Sequence, residues 1–140
     1  RNKNSTIISD FTPQDSAQVD GYGISIARIC FREAADGYRS AYFVLRVTNV
    51  NPWLQSPMFF RNLYALDDRG NLYPPRDYTA TPMREVCGNG PYGNAFVSYY
   101  ELWISDVDPE ATSFTLGFDD YGVSWDLSFP VEGGIEYAQD

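Results

Sequence analysis

Three alternate positions near residue 100 combine the side chains best suited to binding chemistry. Tyr99, Glu101 and Trp103 share one face of an extended segment, because strand side chains alternate with a period of two. Flat aromatic rings beside a carboxylate stack on sugar rings or anchor protein partners. We therefore predict an interaction surface here for a protein or a glycan, provided that Leu102 and Ile104 face the core. Nearby loops could add further rings to it: Trp53, Tyr64, Tyr73, Tyr78 and Tyr92.

Three carboxylates at alternate positions form a weak candidate for a metal site. Asp106, Asp108 and Glu110 could supply oxygen ligands to Ca²⁺. An EF-hand loop would also need a glycine at its sixth position and a glutamate at its twelfth, and the sequence has neither. Pro109 favours a simple turn instead. The Asp67-Asp68 and Asp119-Asp120 pairs are interpreted as hairpin residues in the same way.

Histidine is absent from the 140 residues, which excludes several kinds of active site. Serine triads and cysteine–histidine dyads need an imidazole to accept a proton, and catalytic zinc sites usually have a histidine ligand. Paired carboxylates could still hydrolyse glycosides, but 19 acidic residues create such pairs by chance. We therefore expect no enzymatic activity and no cofactor.

The acidic balance of the chain limits its partners. Its net charge of −9 and the lack of any run of basic residues argue against nucleic acid and anionic lipid. No segment approaches the ~20 apolar residues that cross a bilayer, so we expect no direct membrane insertion. The polar start at Arg1 lacks a signal sequence, and we expect a trimmed product, either a mature secreted protein or a piece of a longer precursor.

Two cysteines, Cys30 and Cys87, are the only ones in the sequence. In an exported protein such a pair most simply forms one disulfide, worth roughly 4 kcal/mol in the chain-entropy model. We predict this bridge, with two buried free thiols as the alternative. A redox role is not expected, because no Cys-x-x-Cys spacing lowers either pKa.

Strand patterns dominate the chain. Apolar and polar residues alternate in Tyr42–Val50, and the phase of the alternation slips near Ala27-Arg28, which predicts a β-bulge. Hairpins are predicted at Asp67–Asn71 and Asp119–Gly122. Residues 74–94, rich in proline and glycine, are predicted to be a long loop that contains Cys87. Further strands are predicted as follows: Met58–Leu66, Ala95–Ile104 with Phe96 inward, Phe114–Phe118 and Val123–Phe129.

Short strands at this spacing predict an all-β fold, an immunoglobulin-like antiparallel β-sandwich of seven or eight strands. Residues 1–20 are expected to be a lead-in or linker with a possible edge strand, and residues 21–140 the sandwich. The Cys–Trp–Cys framework of antibody domains is not reproduced, because Cys87 falls in the predicted loop.

Three motifs resemble the immunoglobulin-like domains of bacterial secreted proteins and lipoproteins related to the immunoprotective extracellular antigen. These are Val44–Asn49 (V-L-R-V-T-N), Leu66–Tyr73 (L-D-D-R-G-N-L-Y) and Asp106–Leu116. The resemblance spans roughly Gly21–Val131, and the aromatic-rich region Pro74–Tyr100 departs from it. It implies export, a secreted protein or cell-surface lipoprotein whose precursor could carry a lipid anchor, and no catalytic motif.

The sequence thus favours a non-enzymatic extracytoplasmic domain with an interaction or structural role. A carbohydrate-binding module that uses the exposed aromatic residues is the alternative, and a carboxylate enzyme is a third candidate. A glycan array with a Trp103→Ala variant separates the first two.

Overall fold

The computed structural model describes residues 5–51, 53, 62–76, 84–120 and 122–133. These residues form an all-β, antiparallel structure of ten strands in two sheets, where seven or eight strands were expected. Within the described ranges no helix is long and apolar enough to cross a membrane. The strands are β1 (Thr6–Phe11), β2 (Ser16–Val19), β3 (Tyr22–Glu33), β4 (Arg39–Asn49), β5 (Tyr64–Asp67), β6 (Leu72–Tyr73), β7 (Glu85–Gly93), β8 (Val97–Ser105), β9 (Ser113–Asp120) and β10 (Val123–Pro130).

The larger sheet has the order β1-β3-β4-β8-β7, and β2 also pairs with β3. The smaller sheet has the order β10-β9-β5-β6. Alternate residues of both sheets point into one shared core, as the period of two requires. Phe43 and Leu45 of the larger sheet and Leu116 and Leu127 of the smaller sheet are fully buried there.

Two local predictions are confirmed. The register of β3 against β4 shifts between Ile26 and Arg28, which is the predicted bulge. Beyond it, Ile29 faces the core. The predicted hairpins join β5 to β6 and β9 to β10. Their glycines, Gly70 and Gly122, have φ of 84° and 72°, a conformation that favours glycine.

The predicted loop at 74–94 is wrong over its second half. Glu85–Gly93 is β7, the edge strand of the larger sheet, and Cys87 lies on it. Its glycines are required by close packing: a Cβ on Gly88 would come within 2.6 Å of the Glu101 carbonyl oxygen. The glycine-rich composition of this segment therefore belongs to a bulged edge strand that packs closely against the β8 backbone, and not to a loop.

Three further expectations concern where strands begin and end. The stretch 1–20 contributes β1 and β2, both paired with β3, so the described strands do not separate at residue 20. Of the predicted strand Met58–Leu66, residues 58–61 lie outside the described ranges and Tyr64–Leu66 belong to β5. Phe96, expected to face the core, precedes β8 and is exposed.

Candidate functional site

The predicted strip lies on the outer face of the larger sheet, which is the surface turned away from the core. Tyr99 and Trp103 are 38% and 36% exposed, and Glu101 between them is half-buried. The intervening residues Tyr100 and Leu102 are buried in the core. The outward orientation that the alternation predicted is therefore present in the structure.

Cross-strand pairing adds a second aromatic ring to the strip. Tyr42 on β4 is paired with Trp103 on β8, so both side chains point outward. Their ring centroids are 5.6 Å apart and tilted by 50°. The Tyr42 hydroxyl donates a 2.9 Å hydrogen bond to Oε2 of Glu101. These three side chains form a fixed group of two rings and one carboxylate.

Electrostatics keep the Tyr42 hydroxyl in its donor form. Burial raises the pKa of Tyr42 above its usual value, and the hydrogen bond to Glu101 raises the pKa further. The hydroxyl is therefore protonated throughout the neutral range. It orients the Glu101 carboxylate through this hydrogen bond.

A bulge in the edge strand brings another tyrosine to the same face. Asn89 of β7 pairs with Glu101, but the next pair is Tyr92 with Tyr99, so β7 has one extra residue between them. This insertion turns Tyr92 outward beside Tyr99, where it is 51% exposed. The predicted contribution of Tyr92 to the strip matches this position.

The opposite border of the outer face is closed by an ion pair. The Arg28 guanidinium donates to both carboxylate oxygens of Asp10, at 2.8 and 2.6 Å, and Asp10 is fully buried. Arg28 and Arg32 flank Cys30, which is 4% exposed although it points outward. Burial raises the pKa of the Cys30 thiol, and the nearby Asp10 carboxylate raises it further. This thiol is protonated at neutral pH.

The predicted Cys30–Cys87 disulfide is not formed, and both cysteines carry free thiols. The register places them in one row across the sheet: Cys30, Tyr42, Trp103 and Cys87. Two whole strands lie between the cysteines, and at ~4.8 Å per strand they are roughly 14 Å apart. A disulfide requires Cα atoms within about 7 Å. The prediction failed because Cys87 belongs to a strand of the same sheet.

The weak calcium candidate has another role in the structure. Oδ1 of Asp108 accepts the Glu110 amide, and Oδ2 accepts from Arg69 and Asn71. Asp106 uses its backbone, which accepts a hydrogen bond from Arg84 and donates one to Tyr38. Among the described residues, no three His, Cys, Asp or Glu side chains converge as a metal site would require. The Asp108 carboxylate stabilises a turn.

Tyr64 and Tyr73, which were also predicted to contribute, lie apart from the strip. Tyr73 is fully buried, and the Tyr64 ring lies over Gly117 on the smaller sheet. Trp53 is exposed and forms an edge contact with Phe96, at 6.1 Å between ring centroids. Tyr78 lies outside the described residues.

Sequence reasoning missed two members of the outer face, Tyr42 and Arg46. Both have outward positions in β4, which the alternation of Tyr42–Val50 shows, but only the register pairs them with Trp103 and Tyr99. Comparison with protein-family models, with curated proteins and with solved structures finds no match for this chain.

Proposed function

We propose that this chain is a non-enzymatic, exported binding module that holds a carbohydrate on the outer face of its larger sheet. One observation carries the proposal: the Tyr42 and Trp103 rings lie 5.6 Å apart on that face, and Tyr42 orients the carboxylate of Glu101. An aromatic pair with a positioned hydrogen-bond acceptor is suited to a ligand with apolar faces and hydroxyl edges.

Sugar rings have this chemistry. Their C–H groups form apolar faces that stack on aromatic rings, and their hydroxyls donate hydrogen bonds to carboxylates. Among the described residues, the hydrogen bond to Glu101 goes to Oε2, so Oε1 is left to accept from a ligand. Trp103 supplies the stacking surface.

The length of the strip indicates the size of the ligand. Tyr99 and Trp103 lie four residues apart on β8, which corresponds to about 13 Å along a strand. This distance exceeds one sugar ring. An oligosaccharide that follows β8 would contact both side chains, and Tyr92 would extend the contact towards the sheet edge.

The proposal includes an immunoglobulin-like fold and an extracytoplasmic location. Two antiparallel sheets around one core are consistent with that fold. The resemblance of three motifs to bacterial secreted proteins and lipoproteins supports export, and a lipid anchor on the precursor would be consistent with it. The lack of histidine supports a non-catalytic role. Fractionation of the native cells tests the location, and recovery in the cytoplasm would contradict it.

A glycan array tests the carbohydrate proposal. We expect the wild-type protein to bind a defined set of oligosaccharides, and Trp103→Ala to weaken that binding at least about tenfold, or ~1.4 kcal/mol. Trp53→Ala is the matched control, because it removes an exposed tryptophan that contacts Phe96 and lies outside the strip. Circular dichroism confirms that both variants fold.

Two results would refute the proposal. An array on which the wild-type protein binds no glycan would leave a protein partner as the better explanation of the exposed rings. Glycan binding that Trp103→Ala leaves unchanged would show that the ligand lies elsewhere.

A further inference from the structure

Arg46 lies near the middle of the outer face. It is an outward residue of the central strand β4, paired with Ser25 of β3 on one side and with Tyr99 of β8 on the other. Its side chain is half-buried. A guanidinium at this position lies beside Tyr99, one of the two aromatic residues that the proposed oligosaccharide contacts.

Arg46 differs from every other arginine in the described part of the chain. It makes no hydrogen bond or ion pair there with a protein group, whereas the other six do. Their partners are as follows: Arg28 with Asp10, Arg32 with Ser5, Arg39 with Glu33, Arg69 with Asp108, Arg76 with Glu85 and Arg84 with the Asp106 carbonyl.

The nearest outward carboxylate on β8 is already engaged. Glu101 pairs across the sheet with Val44, one row away from Arg46 and Tyr99. It accepts its hydrogen bond from Tyr42, on the side away from Arg46, and forms no ion pair with Arg46. The outer face therefore carries a positive group whose five N–H donors have no partner among the described residues.

We infer that Arg46 binds the carboxylate of an acidic sugar, so that the module selects uronic-acid glycans over their uncharged counterparts. This inference rests on the proposed function. A planar guanidinium matches a carboxylate with two parallel hydrogen bonds, a geometry that a neutral hydroxyl does not reproduce. A uronic acid carries its carboxylate on the sugar ring itself. A sugar stacked on Tyr99 therefore presents that carboxylate to Arg46 on the neighbouring strand β4.

The net charge of the chain also affects how an anionic ligand can be bound. The net charge of −9 gives no long-range attraction for an anionic ligand, so a preference for acidic sugars must come from the short-range contact with Arg46. A single short-range contact suits isolated carboxylates, because surface charges farther away are screened over about 8 Å at physiological salt.

Matched ligand pairs provide the test. The probes are uronic-acid oligosaccharides and their methyl esters, which keep the sugar rings but lose the charge, measured by array and then by calorimetry. We expect wild-type protein to bind the free acids about tenfold more tightly than the esters. Arg46→Gln should abolish this preference while it retains binding to the esters, and Arg46→Lys should restore part of it. Arg69→Gln, which removes a charge from a distant turn, should change neither affinity.

The outcomes separate the two proposals. Equal binding of acid and ester by wild-type protein, or a preference that survives in Arg46→Gln, would overturn the role of Arg46. If Trp103→Ala still abolished binding in that case, the carbohydrate function would stand. Absence of binding to both the acids and the esters, together with a silent wider array, would overturn the function and the inference together.

Discussion

Replacing Tyr73 by Phe removes one hydroxyl from the interior and leaves the ring in place. Tyr73 is fully buried, and its ring packs 5.3 Å from that of Phe114. The hydroxyl donates to Oδ2 of Asp67 and accepts from the Asp108 amide, both at 2.9 Å. It therefore joins the β5–β6 hairpin to the loop between β8 and β9.

The expected cost follows from these two bonds. A hydrogen bond to a charged group contributes about 1.5–3 kcal/mol, and an amide left without a partner adds roughly 1 kcal/mol. Asp67 retains three other donors to its carboxylate: the amides of Arg69 and Asn71 and the Asn71 side chain. We expect Tyr73→Phe to lower the free energy of unfolding by about 2.5–4 kcal/mol, a large share of the roughly 5–15 kcal/mol of a typical domain.

Urea unfolding followed by tryptophan fluorescence measures this loss. Tyr42→Phe is the matched control, because it removes a hydroxyl that donates to a carboxylate over the same 2.9 Å, but on the half-exposed outer face. Water replaces that lost bond, so the control should lose no more than about 1 kcal/mol. Equal losses in the two variants, at an unchanged dependence on urea, would refute the view that the buried network stabilises the fold.

Two further predictions concern the thiols and acid stability. Cys30 and Cys87 should both react with iodoacetamide in denaturant without prior reduction, as mass spectrometry would show. In the native protein Cys87 should react first, because Cys30 is only 4% exposed. A requirement for reductant would contradict the free-thiol structure. Hydrogen bonds from Thr112 lower the pKa of Asp68 below its usual 3.8. A carboxyl whose pKa is lowered on folding stabilises the protein above its unfolded pKa, so the free energy of unfolding should fall as the pH drops below 3.8. Asp68→Asn should make that fall shallower in urea titrations between about pH 2 and 5, and an equally steep fall would count against this assignment.

Local features were predictable from the sequence because their causes lie within a few residues. The bulge in β3 follows from the phase slip near Arg28, since one inserted residue exchanges the two faces of a strand. The hairpin at Gly70 follows from a turn that needs positive φ. The outward position of Trp103 follows from alternation along β8 once Leu102 and Ile104 face the core.

Features that depend on distant pairing were not predictable in this way. In the sequence the glycines of β7 are typical of a loop. In the sheet they lie beside β8, where Gly88 leaves room for the Glu101 carbonyl oxygen. The disulfide prediction failed for the same reason: Cys30 and Cys87 fall in one row of one sheet, with Tyr42 and Trp103 between them. Spacing along the chain carries no information about such a row.

The inward and outward residues of β8 have different roles, so the proposed binding and the folding of the chain can be tested separately. Its inward residues, Tyr100, Leu102 and Ile104, are buried in the core and account for the packing of the strand. Trp103 lies on the outer face, 36% exposed and packed against Tyr42, and such a cross-strand pair adds only about 0.2–1 kcal/mol to the stability of the sheet. The core therefore does not require an aromatic residue at position 103. A ligand that stacks on this side chain would require one. For that reason, loss of binding in a folded Trp103→Ala variant would report on the ligand contact and not on a damaged fold.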